Sequence, residues 1–405
     1  MAEKLAIDSG TPVRSTPMPT WPSPSEAQIE AVTAVLHSGN INYWTGIEGR
    51  SLEREYAENL GRGHAVAVAN GTLALELALR GFGIGPGAEV VVPARSFIAT
   101  ASCVVALGAT PVFADIDPES SDLTAETLAA VLTERTAAVI VVHVAGWPAE
   151  MDPISELAHE HRVIVIEDCA QARGAMYRGR PVGSFGDAAC FSFCQDKIVA
   201  AGEGGLLALD DNAAFALAWE YKDHGTSLAK LSDPGFMGRP ASFRWIHDSF
   251  GSNCRLPELE AAMVRAGERE LPAAHVRRTE LATRLARGVA GVRGIRIPLP
   301  PAHCEHAFYR LYAYVAPAEL TEGWDRDRVL FAIAAEGVPV QYGACAELYR
   351  EEAFVRAGLG PPERLPGAAR AHETSLAFFV HPTLADGDID DVIAAVQKVM
   401  KVAAR

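Results

Sequence analysis

Between residues 65 and 210 two kinds of hydrophobic pattern alternate along the chain. Short runs that are apolar at almost every position, 65–69, 89–92, 110–114, 137–143 and 163–167, predict strands buried on both faces. The segments between them, 73–80, 98–106, 125–132 and 151–161, space their apolar residues three and four apart and predict amphipathic helices. A further strand-like run covers 188–193. Such alternation predicts a mostly parallel sheet with helices on both faces. In sheets of this kind ligands bind beyond the carboxyl ends of the strands.

The pattern changes on either side of this region. Residues 1–24 are rich in Pro, Ser and Thr and predict an extended arm. Residues 26–37 predict a helix with Ile29, Val32, Val35 and Leu36 on one face. A long helical pattern over 257–287 predicts a connector. Beyond it, strand-like runs at 295–297, 308–315 and 338–342 mix with helical ones at 326–336 and 389–402, and 358–367 predicts a surface loop. The expected division is an arm over 1–24, a large domain over 25–256, and the connector with a smaller C-terminal α/β domain over 257–405.

Composition narrows the function classes. At 405 residues the chain is long enough for two cores. A formal net charge of −15 argues against nonspecific binding to nucleic acid or anionic membranes. No apolar run reaches the roughly 20 residues needed to span a bilayer. The seven cysteines are scattered and odd in number, with Cys190 and Cys194 the one close pair. They predict reduced, buried thiols and no metal site. Residues 1–10 carry no apolar stretch, so the expectation is a cytoplasmic protein without a secretory leader.

The chemistry concentrates where the strands end. Phe191-Ser192-Phe193-Cys194-Gln195-Asp196-Lys197, running on to Gly202-Glu203-Gly204-Gly205, sets a lysine in an apolar, glycine-rich turn. Asp168 closes the strand-like run 163–167. An amine able to form a Schiff base and a carboxylate able to keep a pyridine nitrogen protonated are the minimum equipment for pyridoxal phosphate chemistry. Asn70-Gly71-Thr72 joins a strand to a helix, where amides, the Thr72 hydroxyl and the helix dipole suit a phosphate. Ser192 adds a hydroxyl nearby, Phe97 a ring for stacking on a pyridine, and Gln171 an amide for its phenolic oxygen.

Together these motifs resemble the DegT/DnrJ/StrS family of pyridoxal-phosphate sugar aminotransferases. The matching segments are Val68-Ala69-Asn70-Gly71-Thr72, Val90-Val91-Val92-Pro93 with Ser96-Phe97, Pro111-Val112-Phe113-Ala114-Asp115 and Glu167-Asp168-Cys169-Ala170-Gln171. They continue with Gly183-Ser184-Phe185-Gly186-Asp187, Phe191-Ser192-Phe193 with Lys197, Gly202-Glu203-Gly204-Gly205 and Gly251-Ser252-Asn253-Cys254-Arg255-Leu256. Their order spans residues 25–400. The resemblance implies fold type I of the pyridoxal enzymes. It implies Lys197 as Schiff-base lysine and proton shuttle, Asp168 on the pyridinium nitrogen, Gln171 on the 3-hydroxyl and Phe97 on the ring. Gly71, Thr72 and Ser192 would hold the phosphate, joined by Asn253 from the neighbouring subunit of a homodimer.

The resemblance further implies L-glutamate as amino donor and a keto-sugar as acceptor, foremost a nucleotide-linked 4-keto-6-deoxyhexose aminated at C4, for a natural product or polysaccharide. A keto-cyclitol of the scyllo-inosose type and a 3-keto-sugar are the alternatives. Tyr43, Trp44 and Tyr342 fall where the family's substrate contacts arise, and Arg244, with Trp245 and His247, is placed to meet a diphosphate. Many members carry histidine where this chain has Cys194, so the substrate side is its own. Sugar deoxygenation uses histidine in place of the lysine, which Lys197 contradicts. A noncatalytic pyridoxal-phosphate-binding sensor on this scaffold would carry an added DNA-binding segment, and no such segment is recognisable in the sequence.

Overall fold

A computed structural model describes residues 4–238 and 244–405. Its larger sheet has seven strands: β1 (His64–Val68), β2 (Glu89–Pro93), β3 (Thr110–Ala114), β4 (Thr136–Val142), β5 (Ile164–Asp168), β6 (Ala188–Ser192) and β7 (Gly205–Leu209). The spatial order is β1-β7-β6-β5-β4-β2-β3. Pairing is parallel from β6 through β5, β4 and β2 to β3, and antiparallel on both sides of β7. The apolar runs are continuous because helices cover both faces of the sheet, and Val90, Val91, Val92, Val139, Ile140 and Val141 are all fully buried.

The register sets the site. β5 pairs Val142 with Asp168 on one side and Asp168 with Cys190 on the other, so β4 and β5 end level and β6 runs on past them to Ser192. The strand runs one residue further than the pattern suggests, so Asp168 is its last residue. Because β7 runs backwards, its leading Gly202-Glu203-Gly204 joins the same end of the sheet as the trailing ends of its neighbours. The sequence pattern missed β7, and with it the one reversal of direction. It also missed the helices Glu48–Leu60 and Asn212–Lys222.

The connector is one helix, Glu258–Val289, of 32 residues, roughly 48 Å long at 1.5 Å per residue. Its first half buries Ala261, Val264 and Leu271 against Ala65, Ala67 and Leu206 of the large sheet. Its second half buries Leu281, Leu285 and Val289 in a separate cluster. That cluster lies beneath a four-stranded antiparallel sheet ordered Ile295–Arg296, Leu311–Val315, Ser375–Phe378, Val340–Gln341. The strand expected from 308 starts at Leu311 instead, since Phe308 takes the left-handed conformation (φ 52°) that a strand cannot continue. The expected loop 358–367 ends in the start of the helix Pro366–Thr374.

The N-terminal arm folds back onto this smaller unit. Buried Glu336 accepts hydrogen bonds from the Ala6 and Val13 amides at 2.8 and 3.1 Å and pairs with Lys398 at 2.8 Å. Arg14 pairs with Asp388 and Asp391, each at 2.8 Å. No described helix is long and apolar enough to cross a membrane.

Candidate active site

A cavity of about 1050 Å3 opens where the strand ends converge. Gly71, Thr72, Phe97, Asp168, Gln171, Ser192 and Lys197, seven of the residues singled out from sequence, all line it.

One wall is the start of the helix Gly71–Gly81. Asn70 caps it, its Oδ1 accepting the Leu73 amide at 2.9 Å. The other amides of that first turn have no carbonyl within the helix to bond. A Cβ on Gly71 would stand 2.8 Å from Ser192 Cβ, so glycine lets the helix start lie against the end of β6. Gly205 is tighter still, since a Cβ there would lie 2.4 Å from the Asn70 carbonyl. These contacts bring the Gly71 and Thr72 amides, and two hydroxyl-bearing residues, Thr72 and Ser192, to one wall of the cavity at the positive end of a helix, a cradle suited to a phosphate.

Asp168 is buried, and its Oδ1 accepts the Ala170 amide at 3.1 Å while Oδ2 accepts the Thr100 hydroxyl at 2.9 Å. Thr100 Oγ1 spends its hydrogen there, so at 2.7 Å it accepts from Ser96 Oγ. Burial raises the Asp168 pKa, and the hydrogen bonds and the charge of Lys197 only partly oppose it. Among the described residues no cation is hydrogen-bonded to this carboxyl, and a protonated ring nitrogen would supply that missing partner.

Glu167 points to the opposite face, as strand alternation requires. Its oxygens accept the amides of Gly183, Phe185 and Gly186, each at 2.7 Å, and His143 Nε2 lies 3.1 Å away. The Ala149 amide donates to His143 Nδ1 at 3.0 Å, so Nε2 carries the hydrogen given to Glu167. Burial works against Glu167 ionising, but His143 and these amides outweigh it and hold its pKa below the usual value. This acid anchors the loop that leads into β6.

Lys197 is largely shielded, with Nζ 4.8 Å from the Tyr309 ring centroid and 3.7 Å from Asp196 Oδ1. Asp196 also accepts the Tyr309 hydroxyl and lies 3.4 Å from Arg310 Nη2. Gln171 Oε1 accepts the Ala145 amide at 2.8 Å, which leaves its NH2 group as the donor available to the cavity. Phe97 is 64% exposed at the mouth and offers a ring face. The residues present therefore fit pyridoxal phosphate at its phosphate, ring face, ring nitrogen, phenolic oxygen and carbonyl ends.

The remaining sequence candidates lie elsewhere in this chain. Tyr43 is buried, its hydroxyl 2.9 Å from Glu53 Oε2 and its ring 4.0 Å from Lys222 Nζ. Trp44 packs edge-on against Trp219, with centroids 6.0 Å apart. Tyr342 faces out under the Arg326 guanidinium (4.4 Å), while its neighbours Gln341 and Gly343 line the cavity. A period of two carries every second side chain to the other face. Arg244 has Nη1 3.8 Å from Met237 Sδ, and neither it nor exposed Asn253 lines the cavity. The expected buried thiols hold for Cys103, Cys169, Cys190, Cys254 and Cys304, but Cys345 is exposed and Cys194 partly so, both at the cavity. Thr100, Asp196, Tyr309 and Arg310 were missed. The last two lie inside the run 308–315, which the sequence reads as an ordinary strand.

Comparison with known proteins bears on the chain as a whole. The DegT/DnrJ/EryC1/StrS aminotransferase family model matches residues 22–397. An L-glutamine:2-deoxy-scyllo-inosose aminotransferase of Streptoalloteichus tenebrarius is 34% identical over 424 residues, covering 99% of this chain and 98% of that protein. A UDP-N-acetyl-3-dehydro-alpha-D-glucosamine 3-aminotransferase of Acidithiobacillus ferrooxidans is 40% identical over 300 residues, covering 74% and 75%. The crystal structure of an aminotransferase from Psychrobacter cryohalolentis superposes with a TM-score of 0.91 at 42% identity, covering 95% of this chain and 99% of that one. The chain thus belongs to the DegT/DnrJ/EryC1/StrS aminotransferase family, with its fold type I architecture, and is a pyridoxal phosphate-dependent transaminase.

Proposed function

We propose that this enzyme moves an amino group from glutamate or glutamine to a ketone on a nucleotide-linked sugar, with a 3-keto sugar as the first acceptor to test. The observation that carries the reading is the convergence of Lys197, Asp168, Gln171, Ser192 and the Gly71–Thr72 helix start on one cavity. The bound cofactor supplies an electron sink for the carbanion left when an α-proton departs. Lys197 offers the only amine among the described residues lining the cavity, both for covalent attachment and for carrying that proton. Asp168 keeps the ring nitrogen protonated, which maintains the sink. Gln171 donates to the phenolic oxygen, Phe97 covers one ring face, and Gly71, Thr72 and Ser192 hold the phosphate. Asn253 completes that cradle from the second subunit of a homodimer.

Sequence resemblance alone favours C4 of a 4-keto-6-deoxyhexose. The relative at 40% identity acts, by its name, on a 3-dehydro nucleotide sugar, and this moves C3 ahead. A cyclitol ketone is the second reading, favoured by the relative that matches over nearly the whole of both chains. The test starts with the purified, cofactor-loaded enzyme. Glutamate and glutamine are added in turn while the visible absorbance of the cofactor is followed. The resulting amine form is then offered a UDP-linked 3-keto sugar, a nucleotide-linked 4-keto-6-deoxyhexose and scyllo-inosose, and products are identified by mass. Bleaching followed by amination of the 3-keto sugar is expected. Amination of inosose alone would transfer the reading to cyclitols, and no spectral response to either amino acid would overturn both as donors.

A further inference from the structure

Both peptide groups of Lys197 are tied. Its amide donates to the Cys194 carbonyl at 3.0 Å, closing a turn. Its carbonyl accepts from the indole Nε1 of Trp21 at 2.9 Å, across 176 residues of sequence. The donor thus belongs to the N-terminal arm, not to the sheet that carries the lysine.

Trp21 is itself held on two sides. Its ring stacks on His381 with centroids 6.1 Å apart and planes at 25°. The Arg278 guanidinium carbon lies 4.9 Å from the ring on the connector helix. Arg278 is fully buried and donates to the carbonyls of Phe308 at 3.2 Å and Val380 at 2.9 Å. The preceding residue is fixed as well, since the Thr383 hydroxyl donates to the Thr20 carbonyl at 3.1 Å. Further back, Arg14 and Glu336 fasten the arm to the smaller unit.

We propose that Trp21 is a positioning residue for Lys197, and that the arm sets the pivot of the lysine from the smaller unit. A lysine must place its amine at two successive positions in a transamination, and its long flexible stem permits both. Holding the backbone at both peptide groups confines that motion to the side chain. A fixed pivot keeps the amine within reach of the reacting carbon, where small misplacements cost rate steeply. Because Trp21 is seated on His381 and Arg278, a shift of the smaller unit is passed directly to the lysine carbonyl.

The inference rests on Lys197 being the reactive amine, so the test separates the two. Trp21→Phe keeps a ring for stacking and removes the N–H, and Trp21→Ala removes both. Proton-transfer half-reaction rates, cofactor dissociation constants and borohydride trapping of cofactor on the chain are measured in the wild-type and Lys197→Ala backgrounds, with folding checked by thermal unfolding. Trp21→Phe is expected to slow the half-reaction about two- to tenfold, the effect of one neutral hydrogen bond. It is expected to weaken cofactor binding when Lys197 is present and to leave binding unchanged when Lys197 is Ala, since the effect runs through the lysine. If Trp21→Phe matches wild type while Trp21→Ala does not, Trp21 is a packing residue and the proposal falls. Equal loss of cofactor affinity in both backgrounds overturns it too. Trapping that survives Lys197→Ala would instead refute the assignment of Lys197 itself.

Discussion

Asp168 and Asp122 are both buried carboxyls whose pKa burial raises, and they differ in what can relieve the strain. Asp168 faces the cavity, where a cationic ring nitrogen can offset its desolvation. Asp122 Oδ1 accepts the Val144 amide at 2.9 Å, but its Oδ2 is buried without a hydrogen-bond partner. For such an acid the folded chain binds a proton more tightly than the unfolded one. Its contribution to stability is therefore fully present below the unfolded pKa of about 3.9 and is lost as pH rises through the folded value. Each unit of elevation is worth about 1.4 kcal/mol. Asp122→Asn keeps the acceptor for Val144 and cannot ionise. Denaturant unfolding of both cofactor-saturated proteins across a pH series should show the wild type losing ground to the variant from about pH 4 upward. Parallel profiles would mean that Asp122 titrates in the fold as it does in the unfolded chain. Sequence reading found Asp168 because a strand end delivers it, and missed Thr100 because an ordinary helix-start threonine gives no sign of the carboxyl it will meet.

At the level of elements, the cofactor cradle depends on how closely a helix start can approach a strand end. The Asn70-Gly71-Thr72 turn is legible from sequence as a strand-to-helix junction. The reason for its glycine is not, because Gly71 has no positive φ and the constraint comes from Ser192, far along the chain. Two effects compete in Gly71→Ala. Alanine favours a helix by up to about 1 kcal/mol, whereas forcing atoms into a packed contact costs about 1–3 kcal/mol. With the new Cβ at 2.8 Å from Ser192 Cβ, the clash should win. The helix start would shift from the strand, and cofactor affinity by equilibrium dialysis should fall roughly tenfold, the equivalent of about 1.4 kcal/mol. Unchanged affinity would show that the cradle tolerates the shift. Alternation within an element explains the neighbouring result at 341–343. The motif was recognisable, but which of Gln341 and Tyr342 faces inward depends on how that strand sits beside Ser375–Phe378.

For the whole molecule, the residues that miss this chain's cavity bear on its assembly. Asn253 bridges to Asp223, just past the helix that carries Trp219, against which exposed Trp44 packs, and Phe250, shortly before Asn253, is wholly exposed. Exposed apolar side chains suit a subunit interface. In the homodimer proposed above, Asn253 is the residue that would reach the phosphate cradle of the opposite chain. Mixing Lys197→Ala with Asn253→Ala chains, and allowing exchange, should leave each heterodimer with one doubly damaged and one intact site. Activity above both parents is expected, and no recovery despite proven exchange would place Asn253 outside any shared site. The sequence by itself determined the alternation of strand and helix, the lysine and acid at strand ends, and the phosphate turn. These are local, since periods of two and 3.6 residues and a turn's chemistry lie within a dozen neighbours. Only the tertiary structure decided that β7 runs backwards, that Tyr43 turns inward to Lys222, and that an arm tryptophan holds the lysine carbonyl. Each of these joins residues far apart in the chain, and a contact across that distance leaves no periodic trace in either partner's neighbourhood.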